Sequence, residues 1–121
     1  MKEFKNINII GGGIAGLTNA LTLQSNGIDY NLYEANSEIT YENVGLGISA
    51  NIFHILHEWN IYNETLDLGA KIQQFHFVDK NLKYIKTFPM ERPALSVNRK
   101  SFYKLLYSRL NKQNIHLKSL K

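Results

Sequence analysis

Ile7-Asn8-Ile9-Ile10-Gly11-Gly12-Gly13-Ile14-Ala15-Gly16 is the stretch that decides the fold of this 121-residue chain. Three β-branched apolar residues make a short strand, the glycines turn the chain, and Ile14 opens a helical pattern. Gly11, Gly13 and Gly16 stand at the G-x-G-x-x-G spacing. The first glycine permits a tight turn after the strand. The second lets a pyrophosphate come against the main chain, and the third lets the helix pack closely on the sheet. The free N–H groups at a helix start, with the helix dipole behind them, attract an anion.

The flanking sequence agrees with that reading. Ile14, Leu17 and Leu21 share one helical face, with Ala20 and Leu23 beside it, and Asn26-Gly27 is a helix stop. Tyr30 to Tyr33 reads as a second strand, and Glu34 at its end lies 23 residues after Gly11. That is where a ribose-binding acid is expected in a dinucleotide site. Its carboxylate can accept from both ribose hydroxyls, and its charge repels a 2′-phosphate, which argues against NADP in this cleft. The competing reading of the glycines is a strand–helix turn without a ligand; strand, spacing, helix and acid together weigh against it.

The length allows one domain, and 44% apolar against 20% charged residues suits a globular core. The absence of cysteine excludes disulfides, thiol catalysis and cysteine-based metal sites. No apolar run is long enough for a signal peptide or a spanning helix, so a cytoplasmic protein without membrane contact is expected. Charge is uneven: residues 1–70 hold two lysines and eight acids, whereas residues 71–121 hold twelve basic and two acidic residues. The basic residues are scattered and no nucleic-acid motif accompanies them. We therefore expect no nucleic-acid partner and place the acidic counterparts elsewhere in the protein.

Further along, 36–43 reads as a polar loop, and Val44-Gly45-Leu46-Gly47-Ile48-Ser49 as a second glycine segment. Glycines one residue apart fit a close approach to a ligand or another segment, but taken alone they read better as an ordinary turn. Asn51 to Trp59 fits a helix capped by Asn51, and Ile61 to Leu68 a short helical continuation. His54, His57 and Glu58 share helical spacing, yet no further ligand lies near to complete a metal site, so they are expected in solvent. Ile72–Val78, an Asp79-Lys80-Asn81 turn and Leu82–Phe88 read as an antiparallel hairpin. Pro89 and Pro93 bracket a loop; Arg99 opens a helix striped by Phe102, Leu105, Leu106 and Leu110; and Ile115 to Leu120 is a third parallel strand. Right-handed crossovers then give the sheet order third, second, first strand.

Taken in order, Gly11 to Gly16 with Glu34, the Val44–Ile48 segment, the Asn51–Leu56 helix start and Asn98-Arg99 with Phe102 and Leu106 match one family. The chain resembles the N-terminal part of FAD-dependent aromatic-ring hydroxylases, the single-component flavoprotein monooxygenases. The resemblance implies an α/β fold: a Rossmann-like FAD-binding βαβ unit with a parallel sheet, plus an antiparallel hairpin from a second layer. Residues 1–121 would be the N-terminal portion of an FAD/NAD(P)-binding domain, with the hairpin at about 72–88 inserted and the fold incomplete.

It also implies roles. Gly11, Gly13, Ile14, Ala15 and Gly16 would hold the FAD pyrophosphate; Glu34, with Ala35 beside it, the adenosine ribose; Gly47 and Ile48 the flavin or ribityl chain; and Arg99 polar atoms of the FAD. NAD(P)H would be the co-substrate, and an aromatic small molecule the acceptor of an oxygen atom from O2. No side chain stands out as an acid or base, so no catalytic residue is named. Leu46 replaces a usual small residue, Ala50 a common proline and Ala35 a frequent basic residue, and neither the Asp-Gly nor the Gly-Asp dipeptide of the family occurs. The chain alone is thus expected to be inactive and to self-associate through an unpaired strand edge. The alternatives are a non-catalytic nucleotide-binding fragment or another FAD oxidoreductase of the same superfamily.

Overall fold

A computed structural model describes residues 5–39 and 42–119. The chain divides into two compact units, residues 1–43 with 99–121, and residues 44–98.

The first unit is built on β1 (Ile7–Ile10), α1 (Ile14–Ser25), β2 (Tyr30–Glu34), α4 (Arg99–Arg109) and β6 (Ile115–Leu117). Its sheet is parallel, in the predicted order β6-β2-β1. Ile9 pairs with Leu32 and Leu32 with Ile115, so β2 is the central strand. Leu17, Ala20 and Leu21 of α1, Leu32 of β2 and Phe102, Leu106 and Leu110 of the α4 region are buried. Apart from Leu32 on its strand, these are positions read from the helical periodicity, although Ile14, Leu23 and Leu105 of the same stripes are only half-buried; burial of the apolar set is the main driving force for this unit.

A polar tie adds to the packing. The Gln24 amide donates to the Arg109 carbonyl at 2.8 Å, while its oxygen accepts from the Asn111 N–H at 2.8 Å and the Tyr30 hydroxyl at 2.9 Å. One side chain thereby joins the ends of α1 and α4 and the start of β2. The third strand is shorter than predicted, ending at Leu117, because Lys118 takes a left-handed φ of 56° that breaks the extended run; Leu120 lies outside the described residues.

β1 departs from a strand buried on both faces. It is an edge among the described strands, and Ile10 is 67% exposed. Its apolar composition is that of a doubly covered parallel strand, but the described chain pairs and covers only one side.

The second unit contains β3 (Gly45–Ile48), a 3-10 turn at Ala50–Ile52, α2 (Phe53–Glu58), α3 (Tyr62–Asp67), β4 (Gly69–Val78) and β5 (Tyr84–Asn98). Its antiparallel sheet runs β3-β5-β4. Three expectations are corrected here. Within the Val44–Ser49 segment, Gly45 to Ile48 is not the ordinary turn but a strand lying against another segment: it pairs with Asn98 to Leu95, and Ile48 is buried. The segment 89–93 is strand rather than loop. Ile72 pairs with Ala94 and Gln74 with Pro89, so β5 bulges over 90–93, which takes Pro93 out of the ladder, while Pro89 stands at the paired edge of the bulge. Asn51 does not cap α2; Ser49 precedes the 3-10 turn, which makes no side-chain capping bond.

The hairpin also reaches further than 72–88, because β4 starts at Gly69 and β5 ends at Asn98. Its turn is tied by Asp79, whose carboxylate accepts from the N–H of Asn81 at 2.8 Å and of Lys83 at 2.9 Å. Leu56, Ile61, Leu95, Val97 and Thr65 form the core of this unit, and the Thr65 hydroxyl donates to the Ile61 carbonyl at 2.7 Å. Among the described residues no helix is long and apolar enough to cross a membrane.

Candidate functional site

The glycine turn lies at the carboxyl end of β1. Gly11 has φ +100°, a region that side chains with a Cβ rarely adopt, and its N–H donates to the Tyr33 carbonyl at 2.8 Å. A Cβ at Gly16 would stand 1.9 Å from the Gly11 oxygen, so only glycine lets α1 pass this close to the turn. Sequence spacing assigns a tight turn and a close helix approach to these positions, and the backbone shows both.

Glu34 ends β2 beside this turn. One carboxylate oxygen accepts from the Gly12 N–H at 2.7 Å; the other accepts from the N–H and the side-chain amide of Asn36, both at 2.9 Å. A Cβ at Gly12 would lie 3.1 Å from the same carboxylate oxygen, so a side chain there would press on the acid. The bonds from Asn36 first, then from Gly12, hold the Glu34 carboxyl below the usual glutamate value, with burial opposing them weakly. The group is an anion at neutral pH, aimed by main-chain donors rather than by a counter-charge. The Ala35 N–H adds a weaker bond to the same carboxylate. Gly12 and Asn36 were missed in the sequence; no spacing rule marks them, although Asn two residues after a strand-end acid fits a local side-chain turn.

The start of α1 has a second neighbour. The Ile14 N–H donates to the Tyr103 hydroxyl at 2.5 Å, and Arg99 Nη2 reaches the same oxygen at 3.4 Å. The Arg99 guanidinium lies 5.5 Å from the centre of the Tyr103 ring and 3.7 Å from the Glu42 carboxylate. Tyr103 and then Glu42 hold Arg99 above the ordinary arginine range, so its charge is permanent. A cation at a helix N-terminus is disfavoured by the dipole, and these partners offset that cost. Tyr103 thus brings Ile14 and Arg99 together, 85 positions apart in sequence.

Other sequence-derived candidates are placed as follows. Gly13 and Ala15 are exposed at the mouth of the turn, and Ala35 is exposed beside Glu34. Gly47 and Ile48 belong to the second unit, on β3, paired with Ser96 and Leu95. His57 stacks on Tyr62 with ring centres 4.0 Å apart.

A glycine turn between a parallel strand and a helix, with an anionic carboxylate ending the adjacent strand, defines a Rossmann-type dinucleotide-binding protein. Comparison with known proteins agrees: the chain belongs to the NAD(P)-binding Rossmann-like domain family, whose profile matches residues 9–72. Over 96% of its length it is 32% identical to the FAD-dependent monooxygenase subE of Metarhizium robertsii, covering 38% of that protein. Its fold matches 2-methyl-3-hydroxypyridine-5-carboxylic acid oxygenase with a TM-score of 0.81 at 22% identity, over 95% of this chain and 31% of the other. It also matches Klebsiella pneumoniae HpxO, solved with FAD and uric acid, with a TM-score of 0.78 at 19% identity, over 98% of this chain and 32% of the other. The resemblance to FAD-dependent hydroxylases and the Rossmann-like α/β fold are borne out. The chain spans well under half the length of each of these relatives.

Proposed function

We propose that this chain binds the adenosine and pyrophosphate of FAD, as part of a flavoprotein that hydroxylates an aromatic or related small molecule with NAD(P)H and O2. The observation that carries the reading is the Glu34 carboxylate, held by the Gly12 N–H at 2.7 Å at the mouth of the glycine turn. The residues present fit the nucleotide. Gly11 and Gly13 keep side chains out of the turn where a phosphate would approach the main chain, Gly16 lets α1 start close to that turn, and Glu34 supplies an anionic acceptor for ribose hydroxyls. Arg99, fixed by Tyr103, adds a permanent positive charge for polar cofactor atoms.

FAD, when bound, supplies the redox chemistry; this chain's residues anchor its nucleotide half and set its orientation. The names of the relatives support the monooxygenase reading, and the FAD complex of HpxO supports the cofactor. Calorimetric titration with FAD, ADP and ADP carrying a 2′-phosphate tests the reading. FAD and ADP should bind, and the 2′-phosphate should weaken binding at least tenfold, about 1.4 kcal/mol, by repulsion from Glu34. Equal affinity for the two ADP forms, or no binding of ADP, overturns it.

A further inference from the structure

We infer that the cavity beside α2 in the second unit is a binding site of its own, for a small carboxylate with an apolar body. The inference does not rest on the dinucleotide reading. Every residue that lines this cavity lies within 50–93, and none of them is assigned to the cofactor.

The cavity has a volume of about 400 Å³, inside the range of roughly 300–1,000 Å³ in which small-molecule sites fall. One wall is a cluster of rings. Tyr62, the first residue of α3, meets Phe53 edge-on with ring centres 5.5 Å apart, and stacks on His57 at 4.0 Å. Leu56 and Ile61, next to these rings in sequence, are fully buried and anchor α2 and α3 in the core of the unit. The rings are therefore in place before a ligand arrives, and they offer it an apolar surface without an ordering cost.

The polar groups at the cavity can all donate, and no acid is among them. Arg92 is a donor only and carries a full charge. It is exposed, and among the described residues it makes no ion pair. It stands in the 90–93 bulge of β5, outside the ladder with β4, and bulges of this kind re-aim side chains. The Asn51 side-chain oxygen accepts from the Ser49 hydroxyl, which leaves its amide N–H groups for another acceptor. His54 and His57 each carry at least one ring N–H, whether neutral or charged. Stacking on Tyr62 uses the face of the His57 ring, whereas its N–H bonds lie in the ring plane and are not spent by it.

Donors with no acid between them suit an anion and repel a cation. The planar guanidinium fork matches the two oxygens of a carboxylate. A bare phosphate or acetate would satisfy the donors and leave the ring wall wet, and a neutral apolar molecule would do the reverse. A carboxylate with an apolar body uses both.

The test follows the ring protons of the four histidines by NMR at fixed pH while cyclohexanecarboxylate is added. The His54 and His57 signals should shift and saturate with a Kd of about 1 mM or below, while those of His76 and His116 stay in place. Cyclohexylmethanol, acetate and inorganic phosphate should each bind at least about tenfold more weakly. Arg92→Gln should weaken the carboxylate about tenfold and leave cyclohexylmethanol unchanged. No saturable shift up to about 50 mM overturns the proposal, as does movement of all four histidines together. Equal affinity for any of the three comparison compounds overturns it too, and so does an Arg92→Gln chain that binds the carboxylate as tightly. The comparison of compounds uses the unmodified chain alone, so it decides the matter even where the variant does not fold.

Discussion

The Gly12 N–H points at a Glu34 carboxylate oxygen 2.7 Å away and so closes the gap between the glycine turn and the end of the second strand. Residues 22 positions apart are locked to each other before any ligand arrives. Asn36 completes the lock from the other side. The acid that faces a ribose is therefore pre-oriented by main-chain donors, and binding does not have to order it.

Replacing this acid should be felt in affinity. Glu34→Ala is expected to weaken ADP by about 1–3 kcal/mol, the range for hydrogen bonds to a charged group. Isothermal calorimetry reads the change directly. An affinity equal to that of the unmodified chain removes Glu34 from the site.

The same bonds make stability depend on pH. The folded Glu34 carboxyl sits below its ordinary value of 4.5, so as pH falls the unfolded chain takes up this proton first. The stability it contributes is complete well above 4.5 and disappears as pH drops through the lower folded value. Urea unfolding at about pH 7 and about pH 3 should show a smaller difference for Glu34→Gln than for the unmodified chain. Identical differences would show that the carboxylate is not held by Gly12 and Asn36.

Gly16 tolerates no side chain. Gly16→Ala places a methyl 1.9 Å from the Gly11 oxygen, and backbone on both sides must shift. The expected loss is about 3 kcal/mol or more, at the upper end of overpacking effects. An unfolding free energy from urea titration within about 1 kcal/mol of the unmodified chain contradicts the close approach of α1 to the turn.

Leu82 carries the opposite error. It sits in the hairpin turn at φ 62° with 81% of its surface exposed, a strained and solvent-facing leucine. Leu82→Asn should raise stability by about 0.5–1 kcal/mol, since Asn adopts the left-handed region more readily. Thermal melts that show no gain argue against that turn geometry.

The exposed edge at β1 bears on association. Ile10 is 67% exposed on an apolar edge strand, an invitation for another copy to pair. Sedimentation velocity over a concentration series should show self-association that Ile10→Lys reduces. A chain that stays monomeric throughout refutes the idea.

Local signals were legible from the residues alone. The strand–turn–helix at 7–25, the second strand with Glu34 and the apolar stripe of α4 follow from glycine spacing and periodicity, which the backbone enforces within a few residues. Chain connectivity and the handedness of crossovers then dictated the order of the parallel strands. Tertiary structure alone decided the rest. The segment bracketed by Pro89 and Pro93 reads as loop until the partner strand shows it to be strand, with a bulge that takes in Pro93 and begins beside the paired Pro89. Tyr103 stands outside the apolar stripe read from the sequence, and only the packing of α4 on α1 sets its hydroxyl against Ile14, 89 positions away. Gln24 and Asn36 likewise carry no periodic signature. Whether a polar side chain bonds water or a distant main-chain group depends on which surfaces meet, and that is settled only when the elements pack.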